Sequence, residues 1–398
     1  MPFTNPYDDI MEAEVIIRKY EQKDRDKLAK LEKRCRTSSV DGVTLSEKTQ
    51  GDPLCRIRCY PVHVMLVAEM CKTQEIIGVV QGCIKSMGTG NVRSCLTLGC
   101  LLGLRVSPRH RRMGIGSRLI NSVEDWMMQN GATSSLLATE KTNTAAVNLF
   151  TVRSYYTVIG PLTIHIRGTG FPFKVSSQDT KIEKLHIDDA ISFYNNKLPE
   201  KHLYPMDVDM ILKEKLSLGT WICYFRDDEC VYNVKKDKFE DFSSRTQGSW
   251  IVFSIWNTCK SYLLQMKKSF PSNRRQNLCL GSGRVLSCLK LKTTEPVEEP
   301  FGFLLLYGLH GEGPRLVELM RSVWKFAEKV ARTIKHCKAI TTELADADPL
   351  REHLPFDSCT TCIDDLWCLK HLGDRSGENH SPMIKGPMGN VFIDPRDF

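Results

Sequence analysis

Six consecutive residues, Arg111-Arg112-Met113-Gly114-Ile115-Gly116, stand between an apolar run and a segment with helical spacing. Glycines at 114 and 116 let the backbone curl closely round an anion. Successive N–H groups and the N-terminus of the following helix then point at it. Arginines at 105, 109, 111, 112 and 118 add positive charge, with no acid between Arg105 and Arg118. That is how a diphosphate is held. A Rossmann fingerprint asks for a third glycine where Leu119 stands, and a Walker loop asks for a Gly-Lys-Ser/Thr that is missing. A basic address or nucleic-acid patch at Arg109-His110-Arg111-Arg112, and an ordinary glycine-bearing strand–helix turn, stay open beside the diphosphate cradle.

The elements that must position this cradle follow from the apolar pattern. Val15 to Arg18 reads as a short strand, and Leu28, Leu31 and Cys35 fall on one face of a helix. Residues 36–63 are polar and irregular. Val64 to Met70 and Ile76 to Lys85 look like an antiparallel hairpin, followed by a third apolar run, Cys95 to Val106. A helix from Gly116 to about Asn130 carries Leu119, Ile120, Val123, Trp126 and Met127 on one side and ends at Gly131. Leu136 to Thr139 is the next strand, Asn143 to Phe150 a short helix, and Tyr155 to Val158 leads into a last strand. The order β-α-β-β-β-α-β-α-β predicts an α/β (α+β) fold, a mixed sheet with helices on its faces, closing near residue 170.

In that setting the sequence resembles the GNAT acyltransferase superfamily, whose motif Arg/Gln-x-x-Gly-x-Gly/Ala sits in this strand–loop–helix context. Asn143-Thr144-Ala145-Ala146-Val147-Asn148-Leu149-Phe150 is similar to the superfamily's Asn-x-x-Ala-x-x-Leu-Tyr helix. The resemblance covers about 15–170 and implies acetyl-CoA as cosubstrate, lying in a V between the fourth and fifth strands. Backbone groups along Leu104, Arg105 and Val106 would then hold pantetheine and polarise the thioester carbonyl. Those of Arg111, Arg112, Met113, Gly114, Ile115, Gly116 and Ser117 would hold the diphosphate, and Asn143 or Asn148 the pantetheine or acyl end. An amine acceptor must lose a proton, and Glu140, at the end of the fifth strand, is the expected base, with Glu69 a weaker option. Phe150 stands where the superfamily commonly has a tyrosine that protonates the leaving thiolate. Tyr155 or Tyr156 is the substitute on offer, although a CoA thiolate is able to leave unaided.

The second half repeats this pattern in degraded form. Residues 171–398 open on a linker and carry two charged insertions at about 226–248 and 267–300. Then Gly311-Glu312-Gly313-Pro314-Arg315-Leu316 answers Gly114 to Leu119, and Thr342-Glu343 answers Thr139-Glu140, which predicts a duplicated, GNAT-like second domain. Glu312 inside the second turn repels a phosphate, so this half is expected to shape a substrate cleft or an interface. The last 25 or so residues, rich in Gly, Ser and Pro, read as mobile. Stretches such as Gly51 to Arg58, Gly103 to Pro108, Tyr307 to Pro314 and Val391 to Phe398 resemble the plant Hookless family of probable N-acetyltransferases, which implies a role in differential growth and hormone response.

Charge and composition narrow the setting. The 398 residues carry a net charge of +8, of which residues 1–170 hold +7 and the stretch Arg105 to Arg118 alone holds +5. The excess marks a cofactor site, and no direct nucleic-acid partner is expected. The longest apolar stretch, Cys95 to Leu104, falls well short of the ~20 residues of a membrane span. Met1 to Glu14, with four acids and no base, is wrong for a secretory or transit signal. The 16 cysteines then read as reduced thiols of a nuclear or cytoplasmic protein. Cys359, Cys362, Cys368 and His371 offer a metal set, but the two pairs are too close for a usual structural zinc, and no metal is expected. The chain is therefore expected to transfer an acetyl group from acetyl-CoA to a primary amine, such as a protein lysine. The alternative is a non-catalytic GNAT-fold regulator that binds acyl-CoA or partner proteins.

Overall fold

The apolar runs become strands and the periodic stretches become helices in a computed structural model. It describes residues 14–35, 43–48, 52–90, 94–170, 179–227, 248–268, 299–355, 360–373 and 389–398. Most of both charged insertions, and Cys359, lie outside the described residues.

The first half contributes β1 (Val15–Lys19), β2 (Val43–Lys48), β3 (His63–Met70), β4 (Ile76–Thr89), β5 (Ser94–Val106), β6 (Ser134–Glu140) and β7 (Thr157–Gly168). Helices α1 (Arg25–Cys35), α2 (Ile115–Gln129) and α3 (Thr144–Asn148) lie between them. The second half adds β8 (Thr180–Lys184), β9 (Tyr204–Pro205), β10 (Ser217–Phe225), β11 (Trp250–Asn257) and β12 (Leu263–Lys268). It continues with β13 (Gly302–Glu312), β14 (Cys337–Ala345) and β15 (Thr360–His371). Its helices are α4 (Ile187–Lys197), α5 (Val208–Lys213) and α6 (Leu316–Thr333). Among the described residues no helix is long and apolar enough to cross a membrane.

Thirteen of these strands form one mixed sheet in the order β1-β3-β4-β5-β6-β15-β7-β14-β13-β11-β10-β8, with β9 on β4. The two halves exchange their last strands. β15, from the end of the chain, pairs with β6, while β7 pairs with β14 and β15. Hydrogen bonding therefore runs unbroken across residue 170. β2 and β12 form a separate antiparallel ribbon, so the segment read as irregular contains a strand whose partner comes from the other half.

The two halves repeat one strand register. Leu98 pairs with Ser134 five residues before Gly103, and Phe303 pairs with Ala339 five residues before Gly308. A constant offset of 205 thus relates Gly103 to Gly308, Ser134 to Ala339 and Glu140 to Ala345. The helices follow an offset of 200. Leu119, Ile120, Val123 and Met127 are buried on α2, and Leu319, Met320, Val323 and Ala327 on α6. The connection into the helix is thus five residues shorter in the second half. The short motif matches of the sequence are corrected accordingly: Gly311 lies within β13, and the counterpart of Glu343 is Ala138.

The terminal ten residues are a core strap. Val391, Phe392 and Ile393 are buried, and Phe392 packs edge-on against Tyr194 and Tyr307. Buried Asp394 sits 3.2 Å from Lys85 Nζ and 2.8 Å from Arg396 Nη2, and Arg396 also pairs with Asp207 at 2.7 Å. The mobility expected from Gly, Ser and Pro content does not extend to this segment, because apolar burial and ion pairing hold it. Residues 374–388 lie outside the described ones.

Candidate active site

The site begins with an irregularity in β5. Val79 faces Arg105 and Gln81 faces Leu102, so Gly103 and Leu104 together oppose Val80. Gly103 has φ +59, the left-handed conformation that starts such a bulge, and the inserted residue is left out of the ladder. Beyond Leu98–Cys100 the parallel pairing of β5 with β6 stops. The strands splay, and a cleft of about 1510 Å³ opens between them. Leu104, Arg105 and Val106 line it, as do Arg111, Arg112 and Gly114 to Ser117.

The turn into α2 is built for an anion. Gly114, at φ +74, caps the helix without any side-chain hydrogen bond, and a Cβ placed there meets nothing within 4 Å. The helical ladder starts with Arg118 N–H donating to the Gly114 carbonyl at 3.0 Å. The N–H groups of Ile115, Gly116 and Ser117 thus face the open mouth with no intrahelical acceptor. Of the five arginines, Arg105 is tied to Glu32 at 3.3 Å and Arg118 to the Val15 carbonyl at 2.8 Å. Arg111 donates to the Val106 carbonyl at 3.3 Å, while Arg112 is exposed at the cleft. Donor-rich turn, open space and exposed cation together fit a CoA diphosphate. Met113 is exposed and does not line the cleft. Asn143 and Asn148 do, although Asn143 Oδ1 also caps α3 by accepting from Ala146 N–H at 3.2 Å.

The expected proton-handling residues lie elsewhere. Glu140 is exposed at the end of β6, where Thr142 Oγ1 donates to it at 2.5 Å. Tyr155 is 77% exposed. Tyr156 is buried, bonded to Ser135 Oγ at 2.7 Å, edge-on to Phe150, and its phenol is pushed well up by burial. None of the three lines the cleft. Glu69 is held as an anion by Arg18 and Lys27. Phe150, buried, does line it.

Asp365, and the Glu343 that the sequence sets beside Glu140 only as an echo in the second half, line the cleft instead. Asp365 on β15 lies opposite Glu140, and burial, then the charges of Glu140 and Asp364, push its carboxyl up to about 6. Glu343 on β14 is buried, accepts from Trp367 Nε1 at 3.3 Å, and is pushed up to about 8, chiefly by burial and next by Asp365. Each sits in a strand whose sequence reads as ordinary core, and only the strand exchange points them at this cleft.

The second V keeps the bulge and loses the opening. Gly308 has φ +62, and Val252 facing His310 beside Ser254 facing Tyr307 marks the same irregularity. Tyr194 fills it by donating to the Gly308 carbonyl at 3.0 Å, and only about 10 Å³ of cavity remains. The five missing residues are those that carry the phosphate turn in the first half.

A bulged strand, a splayed parallel pair and an Arg-x-x-Gly-x-Gly turn define a GNAT-type acyl-CoA cleft, and the acetyltransferase (GNAT) family model matches residues 28–154. The chain belongs to this family. It is 36% identical over 392 residues to "Probable N-acetyltransferase HLS1" of Arabidopsis thaliana, covering 92% of this chain and 96% of that one. It is 33% identical over 415 residues to "Probable N-acetyltransferase HLS1-like" of the same plant, covering 96% and 99%. The fold is shared with Saccharomyces cerevisiae N-myristoyltransferase solved with bound myristoyl-CoA, at a TM-score of 0.52 and 8% identity over 93% of this chain and 80% of that one.

Proposed function

We propose that this protein is an acetyl-CoA-dependent N-acetyltransferase whose acceptor is a primary amine, the side chain of a protein lysine. The observation that carries this is the pairing, in one open cleft, of the Gly103 bulge with the uncapped turn at Gly114. The turn at Arg112 to Ser117 holds the diphosphate. The backbone amide freed at the bulge donates to the thioester oxygen as negative charge develops there. CoA supplies the activated acetyl group, and the protein orients it and screens it from water. Action in the nucleus or cytoplasm, and a part in hormone-responsive growth like that of the Hookless family, belong to the same proposal.

A binding-only regulator is the second reading. It is favoured by Phe150, which lines the cleft without a proton to give. Calorimetry with acetyl-CoA and a thiol-release assay on lysine peptides separate the two. Binding with release supports the enzyme, binding without release supports the regulator, and no binding removes the enzyme and leaves only a regulator that works through partner proteins.

A further inference from the structure

The cleft has two ends of opposite character. At the α2 end stand Arg111, Arg112 and the helix donors; at the far end stand the carboxyls of Asp365, Glu343 and Asp397, with Arg56 there donating to the Asp397 carbonyl at 2.5 Å. A diphosphate and an ammonium ion are drawn to opposite ends. The far end exists because of the strand exchange. β15 lies beside β6, which flanks the split where a thioester would enter, and β14 lies two strands further on. Asp365 is opposite Leu162 and Glu343 is opposite Ile164, two residues along β7, so both carboxyls stand on one face of the sheet. Trp367, Phe303 and Phe398 line the same end. Apolar walls leading to a carboxylate suit a lysine-type side chain, whose methylene stem packs while its charged tip is paired.

We propose that Asp365 is the group that takes the proton of the acceptor ammonium, in an acceptor subsite which the second half of the chain contributes to the cleft of the first. This rests on the acetyltransferase reading above. Asp365 is the nearer of the two carboxyls to the β5–β6 split. It is ionised at neutral pH, whereas burial keeps Glu343 largely protonated under the Trp367 indole. Burial first, then the charges of Glu140 on β6 and Asp364 on the same strand, raise the proton affinity of Asp365, and those charges favour an incoming cation.

The step balances. The ammonium gives one proton to the Asp365 carboxylate, and the freed nitrogen lone pair forms the C–N bond to the acetyl carbon. The C–S bond breaks with its electron pair on sulfur. The second nitrogen proton passes to that sulfur, giving the CoA thiol, and Asp365 returns its proton to water before the next turnover.

The test compares wild type with Asp365→Asn, which keeps the shape of the side chain. Calorimetry measures binding of peptides carrying one lysine, or norleucine in its place, and of acetyl-CoA. A thiol-release assay measures transfer. Wild type is expected to prefer lysine over norleucine at least tenfold. Asp365→Asn is expected to erase that preference, to lower kcat about 100-fold or more, and to bind acetyl-CoA as wild type does. A retained lysine preference, or kcat within threefold of wild type, overturns the assignment and leaves the acetyltransferase reading standing. Wild-type protein that binds acetyl-CoA but acetylates no amine overturns both.

Discussion

Gly103 and Gly308 sit at one point of two copies of the same strand, both at positive φ, and only the first borders open space. A Cβ on Gly103 has no contact shorter than 3.6 Å, to Gln81 Oε1, whereas one on Gly308 lies 2.5 Å from the Tyr194 hydroxyl. Gly103→Ala is therefore expected to lose only the left-handed strain, about 1 kcal/mol. Gly308→Ala adds overpacking in a full core and should lose about 2–4 kcal/mol. Urea unfolding of the two variants checks this. Equal losses would mean that the second bulge is not filled as described.

Gly116→Glu tests the diphosphate turn. The new Cβ meets Leu149 Cδ2 at 3.3 Å, a contact that a flexible leucine absorbs, so the fold should survive. The carboxylate enters a nest of N–H donors and excludes a phosphate. Acetyl-CoA affinity measured by calorimetry should fall at least 100-fold, about 3 kcal/mol, with an unchanged circular dichroism spectrum. Undiminished affinity would place the diphosphate somewhere else.

These contrasts show which parts of the molecule sequence makes legible. The phosphate turn is local: Arg111, Gly114 and Gly116 lie within six residues, and the helix they start has its own apolar stripe. The acceptor end is not local. Asp365 and Glu343 reach the cleft only because β15 inserts between β6 and β7. The apolar pattern puts Glu140 at the end of β6, and there it is exposed, accepting from Thr142 Oγ1. Its charge reaches the cleft through Asp365 instead. A repeat of elements is legible in the sequence, while its register is set by the paired bulges at Gly103 and Gly308.

The terminal strap depends on charge pairs that water does not reach. Lys85 is 3% exposed in its side chain, Asp394 2% and Arg396 3%. The two cations hold the Asp394 carboxyl well below the usual carboxylate range despite its burial. Asp394→Asn strands both cations with one fewer counter-charge. A loss of about 3–5 kcal/mol is expected. The melting temperature reads it directly, and a loss under 1 kcal/mol would show that the strap is held by Phe392 and its apolar neighbours alone.

Glu343 links the cleft to stability through pH. Its carboxyl titrates near 8 in the folded protein against 4.5 ordinarily, because burial disfavours the anion. The folded state thus binds the extra proton between those values, and its contribution is fully present below 4.5 and lost as pH rises through 8. At pH 9 the buried charge would lower stability by roughly 3–5 kcal/mol. Glu343→Gln keeps an acceptor for the Trp367 indole and carries no charge to bury. Urea midpoints of wild type and Glu343→Gln should therefore coincide near pH 4 and diverge steadily above it, the variant being the more stable at pH 9. A difference that does not change with pH would mean that this carboxyl has an ordinary affinity for its proton in the folded protein, and Glu343 and Asp365 would then both be charged at neutrality.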